Sequence, residues 1–335
     1  MFKRTWPRVL LGLAILFFQG LALAGDIVDA AYVEQALKRG AIVWDVRDGD
    51  DYKDGHVPGA VNVGDVGRVL RDPNREDPIP TPQVEAILGK AGIDLLNKEV
   101  IVYSRTGDPY AHYALNLMRY YGAPNGKVFH GGLDAWLAAG KPVDKAVTTL
   151  APVALALTTK PGVMVWNDEM IARVREGKTQ IVDVRTPKEY SGDDIRAIRG
   201  GHVPNAVNVP YEQNWVDPAT GAKLARKEVK TRDGMSLKPT EDLRKLYAKL
   251  DPEKEVVVMC QSGVRASETA NVLRDLGFKD VKVYEPSWLG YAGVLSAPAA
   301  NETFLNVGVL NGQLASMKGR IDELEAELAK LKAAK

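Results

Sequence analysis

The feature that most constrains this chain is that it contains the same pattern twice. Ile42-Val43-Trp44-Asp45-Val46-Arg47 returns as Gln180-Ile181-Val182-Asp183-Val184-Arg185, and Tyr52 and Tyr190 follow their arginines at equal spacing. Gly55-His56-Val57-Pro58-Gly59-Ala60-Val61-Asn62-Val63 returns as Gly201-His202-Val203-Pro204-Asn205-Ala206-Val207-Asn208-Val209. Two long blocks in one order signal a duplicated domain. A length of 335 residues suits two domains that each bury a core.

Each repeat reads alike. A helix (33–39; 167–176) precedes a short apolar strand ending at Asp-Val-Arg. A second strand follows Gly-His-Val-Pro, and a third spans 99–103 or 255–259. A polar turn then opens a helix that ends near Gly122 or Gly277. Buried strands alternating with helices predict an α/β fold with a parallel sheet covered on both faces. The expected order is domain one at 25–144, a Pro-, Thr- and Ala-rich linker at 145–162, and domain two at 163–300. Repeat two carries insertions at 191–200 and 215–237, the latter expected as surface loop.

The two ends differ from the repeats. Lys3, Arg4 and Arg8 precede an apolar run from Val9 to Ala24, closed by Ala22-Leu23-Ala24. This is the pattern of a secretory signal peptide over 1–24, with a mature start near Gly25 and a periplasmic or secreted protein. After cleavage no membrane insertion is expected, because an apolar run this short suits a spanning helix poorly. Losing three positive charges takes the formal net charge from +1 to −2, so nothing suggests nucleic-acid binding. At the other end, within 303–335, Leu310, Leu314, Met317, Ile321, Leu324, Leu328 and Leu331 alternate by four and three. That is a heptad stripe, expected to form a coiled-coil helix and a homo-oligomer through 310–331.

The chain has one cysteine, Cys260. A lone thiol in an oxidising compartment is a liability unless it has a use. Cys260 ends the apolar strand Val256-Val257-Val258-Met259 and begins Cys260-Gln261-Ser262-Gly263-Val264-Arg265, which leads into a helix. Unpaired amides at such a helix start favour an anion, and such sites lower thiol pKa values. Arg265 adds a positive charge, and Gly263 permits a tight turn.

With these marks together, the chain up to about Ala300 resembles the two-domain form of the rhodanese family. The resemblance implies two three-layer α/β/α domains with central parallel sheets. It also implies a sulfurtransferase without metal or other cofactor. In such a reaction Cys260 takes sulfane sulfur from a donor anion such as thiosulfate, becomes a persulfide, and passes the sulfur to a thiophilic acceptor, with cyanide the assay stand-in. A thiolate is the nucleophile this needs. Gln261, Ser262, Gly263, Val264 and Arg265 are expected to bind the donor and cradle the persulfide, with Arg265 neutralising departing sulfite. Asp183 and Arg185 are further candidates, because this pair lies near the active loop in rhodanese-like domains. His56 and His202 read as structural, and no His, Cys or carboxylate cluster has metal-ligand spacing.

Departures leave the donor open. Animal thiosulfate sulfurtransferases have basic residues where this chain has Ser262 and Glu189. Mercaptopyruvate-using relatives end the loop in Thr, where this chain has Arg265. Pro286-Ser287 replaces the Gly-Gly that repeat one keeps as Gly131-Gly132. Repeat one has lost the nucleophile, with Ser104 in its place and Pro109 removing an amide. Three rivals remain: a phosphatase, disfavoured because only four residues separate Cys260 from Arg265; a non-enzymatic sulfur carrier or docking module; and a 3-mercaptopyruvate sulfurtransferase.

Overall fold

The computed structural model describes residues 25–333, so the expected signal peptide lies outside the described residues. Among the described residues, eleven strands follow one another as β1 (Ile42–Asp45), β2 (Val61–Asn62), β3 (Val100–Tyr103), β4 (Gly126–Phe129), β5 (Met164–Val165), β6 (Gln180–Asp183), β7 (Arg199–His202), β8 (Val207–Asn208), β9 (Val256–Met259), β10 (Val281–Tyr284) and β11 (Ala300–Phe304). The first sheet has order β2-β1-β3-β4 and the second β5-β10-β9-β6-β8, with all pairings parallel. At the first sheet's edge, Ile27 bridges Val128 in parallel, in the position that β5 holds in the second.

Both faces of each sheet are buried, which is why the strands carry apolar residues without alternation. In β3, Val100 and Val102 face one core, whereas Ile101 and Tyr103 face the other. In β9, Val256 and Val258 share a core with Cys260, and Val257 and Met259 face the opposite one. Fully burying each such valine is worth about 1.5–3 kcal/mol. The helices after the third strands, Pro109–Tyr120 and Val264–Asp275, end before Gly122 and Gly277, whose φ angles are +77° and +97°. These two helices pack against each other and join the domains.

Three expectations are corrected. The segment 145–162 is not a free linker but runs along domain one. Val153 N–H donates to Gly89 O at 2.9 Å and Lys160 N–H to Tyr120 O at 2.7 Å. The stretch 215–237 lies mostly at the surface but is not simply a loop, because it contains the helix Thr220–Ala225, Trp215 and Met235 are 2% and 5% exposed, and Trp215 bridges Leu237. Domain two continues past Ala300 through β11, which pairs antiparallel with β7 at the end of the 191–200 insertion. Arg199, buried in that ribbon, pairs with Glu302 and donates to the carbonyls of Ala292, Val294 and Ala297. The C-terminal helix then runs Val307–Ala333. Among the described residues, no helix is long and apolar enough to cross a membrane.

Candidate active site

The apolar β9 delivers Cys260 to the C-terminal edge of the second sheet, where ligands bind in open α/β sheets. Gly263, at φ +79°, turns the chain into the helix Val264–Asp275. Carbonyls of the loop are held from several directions. Trp288 N–H donates to Cys260 O at 3.0 Å and Leu289 N–H to Gln261 O at 2.9 Å. From domain one, Arg71 Nη2 donates to Ser262 O at 2.6 Å.

The amides divide into two sets. Those of Cys260 and Gly263 both donate to the Ser287 hydroxyl at 3.1 Å, and that hydroxyl donates to Tyr284 O at 2.6 Å. The amides of Gln261, Ser262, Val264 and Arg265 have no acceptor among the described residues. The expected cradle is therefore smaller than the whole loop, because Gly263 contributes a turn and not a donor. Ser287 is fully buried at φ +48°, where repeat one has Gly132 at +54°. A left-handed residue with a side chain costs roughly 1–2 kcal/mol, and here its hydroxyl ties two points of the loop together. A Cβ at Gly132 would lie 2.3 Å from Ser104 O, so the two loops cannot superimpose there. The sequence marks this position only as a departure from Gly-Gly.

Cys260 itself is 1% exposed. Over its loop lies a cleft of about 410 Å³ between the domains, lined by Gln261, Ser262, Val264 and Arg265 together with Arg196, Tyr211 and Glu212. Domain one contributes Glu76, Pro109 and Tyr110 to its wall. A larger cavity of about 710 Å³ lies elsewhere, beside Tyr32 and Phe129, away from the thiol.

Arg265 is not a free cation. Its guanidinium forms two hydrogen bonds to Glu189, at 2.9 and 2.8 Å, and Arg196 adds a third at 3.1 Å. Burial alone would raise the Glu189 pKa, but Arg265, the Thr186 amide and Arg196 hold it at about 2. With Glu212, and with Glu76, which Arg71 approaches at 3.4 Å, three carboxyl groups stand against three guanidiniums around the cleft. Arg265, expected to neutralise departing sulfite, thus stands at the cleft as one half of an ion pair with Glu189.

Asp183 and Arg185 are likewise corrected as binding residues. They are 0% and 1% exposed and paired to each other, with Nη2–Oδ2 at 2.6 Å, and Arg185 Nη2 also donates to Gly201 O at 2.8 Å. Asp45 and Arg47 repeat this beside Gly55 O in the domain that lacks the cysteine. A pair present in both domains serves the strand end and the Gly-His-Val-Pro turn. His56 and His202 stack on Tyr52 and Tyr190 with ring centroids 3.8 and 3.7 Å apart.

In repeat one, Ser104 is 1% exposed and donates at 2.5 Å to Asp108, the N-cap of the following helix. Its proton is committed to a structural carboxylate. Replacing Ser104 with alanine should leave the rate of the expected sulfur transfer within a factor of about two, far below the tenfold that 1.36 kcal/mol represents. A large fall in rate with unchanged circular dichroism would place Ser104 in the reaction.

The fold also assembles a buried cluster that sequence spacing could not reveal. His112, His130 and Glu268 bring ligand atoms within 4.8 Å of one another, a geometry that could admit a metal ion. Their hydrogen bonds point to another role. Arg274 Nη1 donates to Asn271 Oδ1, which turns Asn271 Nδ2 toward His112 Nδ1 at 3.3 Å. His112 Nε2 then donates to His130 Nδ1 at 3.0 Å, and His130 Nε2 to Met235 O at 3.0 Å. Every ring nitrogen is engaged in a chain that runs from the Arg274 guanidinium to the Met235 carbonyl. Burial holds the His112 pKa well below its ordinary value and that of His130 at about 4, and it raises Glu268 well above the usual carboxyl range. With Trp215 Nε1 donating to Glu268 at 2.9 Å, the cluster fastens the 215–237 insertion across the domain boundary.

Comparison with known proteins gives consistent findings. A family profile described as "Rhodanese-like domain" matches residues 29–139 and 167–293. A "Putative thiosulfate sulfurtransferase" of Mycolicibacterium smegmatis is 32% identical over 293 residues, covering 83% of this chain and 98% of that protein. A "Sulfur carrier protein TtuD" of Thermus thermophilus is 30% identical over 264 residues, covering 74% and 86%. Among solved structures, an anaerobic ergothioneine biosynthesis enzyme from Chlorobium limicola matches with a TM-score of 0.68 and 21% identity, covering 82% of this chain and 69% of that one. That likeness concerns the fold alone.

Proposed function

The chain belongs to the rhodanese-like sulfurtransferase family, and from that premise we propose that it moves sulfane sulfur from thiosulfate, or a related donor, to a thiophilic acceptor through a persulfide on Cys260. One observation carries this reading: the only thiol opens a loop whose amides at Gln261, Ser262, Val264 and Arg265 are unspent at a helix start. The Cys260 thiolate attacks the outer sulfur of the donor. A bond from Sγ to that sulfur forms as the donor's S–S bond breaks, and sulfite leaves with the electron pair. The acceptor then attacks the terminal sulfur, and the electrons of the Sγ–S bond return to Cys260. Hydrogen bonds from amides to a charged sulfur are worth roughly 1.5–3 kcal/mol each, which favours the anionic persulfide. Neither step requires a metal or a general base if the thiol is ionised.

A second reading is supported by the burial of Cys260 and by the relative named as a sulfur carrier. In it the persulfide is stable and is delivered to a partner with little turnover. Mass spectrometry after exposure to thiosulfate should find one added sulfur atom on Cys260, and cyanide should discharge it through many cycles. Loading with a single discharge identifies a carrier. No loading by thiosulfate, with loading by mercaptopyruvate or polysulfide, changes the donor.

A further inference from the structure

The helix Val307–Ala333 leaves the second domain at the β7–β11 ribbon and extends about 40 Å at 1.5 Å per residue. Its seam is uncovered: Leu314, Met317, Ile321, Leu324, Leu328 and Leu331 are 48% to 66% exposed. Among the described residues nothing covers these six side chains, and Gly308, Gly312 and Gly319 each cost about 1 kcal/mol relative to alanine within a helix. In proteins most helical stability comes from packing of such an apolar face. We propose that the seam is covered by the same helix of a second copy, in a parallel, in-register, two-stranded coiled coil.

The charges beside the seam decide the orientation. Val307, Leu314, Ile321 and Leu328 occupy a positions, and Leu310, Met317, Leu324 and Leu331 occupy d positions. The g positions are Gln313, Arg320 and Glu327, and the e positions Asn311, Lys318, Glu325 and Lys332. In a parallel pair, each g residue meets the e residue five positions further along on the partner helix. Arg320 then faces Glu325 and Glu327 faces Lys332, each pair formed twice, while Gln313 against Lys318 is neutral. All eight a and d layers are buried.

Antiparallel arrangements lose one advantage or the other. The register that buries the whole seam opposes Leu310 to Leu328 and Leu314 to Leu324. It sets Lys318 against Lys318 and Arg320 against Arg320. Sliding by one heptad, so that Leu314 opposes Leu331, restores attraction between Lys318 and Glu325 but strips Val307 and Leu310 from the seam. Only the parallel register combines full burial with charge complementarity. The β-branched Val307 and Ile321 at a, opposite leucines at d, favour two strands. In one chain Arg320 pairs with Glu323 at 2.9 Å, but both side chains are over 60% exposed, so that pair is weak and yields readily.

A parallel pair holds both catalytic modules at the same end of the coil. Disulfide capture tests it in the full chain. Leu310→Cys and Leu331→Cys, prepared separately and oxidised with oxidised glutathione, should each give almost complete reducible dimers. The native chain, whose only thiol is buried, should give almost none. Light scattering should report two copies for the native protein and one for a chain stopped before Asn306 with unchanged sulfur transfer. A monomeric full-length chain overturns the proposal. So does a mass of three or more copies, or capture only when Leu314→Cys and Leu331→Cys chains are mixed.

Discussion

Replacement of Cys260 by alanine should reduce sulfur transfer from thiosulfate to cyanide by at least a thousandfold, about 4 kcal/mol of lost transition-state stabilisation. It should also abolish the added sulfur mass. The chain has no second thiol to take over, and the matching serine of repeat one is hydrogen-bonded to its own helix cap. The effect must be separated from unfolding, since Cys260 shares a core with Val256, Val258 and Ala266. Removing one sulfur from that core costs on the order of 1 kcal/mol, and the loop ties through Trp288, Leu289 and Arg71 use backbone atoms that alanine keeps. The variant should therefore melt only a few degrees lower while showing no turnover. Activity within tenfold of native, with the fold intact, would move the chemistry away from Cys260.

The contrast between sequence and structure follows the range of the interactions. The strands, the helices after the third strands and the duplicated order were legible because each rests on local pattern: Val256 to Met259 is an apolar run opened by three β-branched valines, and Gly122 and Gly277 mark helix ends. Cys260 was legible for the same reason, since strand, thiol, turn and helix are contiguous. What was missed lies between distant residues. Glu189 neutralises Arg265 across 76 positions, and Asn271 reaches His112 across 159. The 215–237 insertion is largely polar, and its two buried apolar anchors, Trp215 and Met235, are too sparse to produce a periodic signal. Asp183 and Arg185 were misread because a pair near an active loop and a pair that supports the turn behind it look alike in one dimension.

The second large effect is expected at Gly263. Its φ of +79° already disfavours any side chain, at roughly 1–2 kcal/mol. A Cβ there would also meet Glu285 Oε2 at 2.7 Å and the Glu285 carbonyl at 3.0 Å. The carboxyl end could swing, but the carbonyl belongs to the turn after β10, and Ser287 grips both the Cys260 and Gly263 amides from the same turn. Glu285 is itself confined: it is 1% exposed, and burial raises its pKa to about 7 against the opposing influence of Arg71. Because Arg71 also holds Ser262 O, the strain passes to the loop and to the domain boundary. Gly263→Ala should therefore shift the amide cradle against the thiol. A displacement of about 1 Å is enough for roughly a hundredfold loss, so kcat/KM should fall by that order, with persulfide still forming on Cys260 but slowly. Gly177→Ala is the matched control, since that glycine has φ +67° and nothing within 4 Å of its would-be Cβ. It bears the backbone penalty alone, so its melting temperature should fall while kcat/KM stays native. If Gly263→Ala behaves like Gly177→Ala, losing stability without losing rate, then the contact with Glu285 does not position the loop, and its geometry must depend on the Ser287 and Arg71 hydrogen bonds.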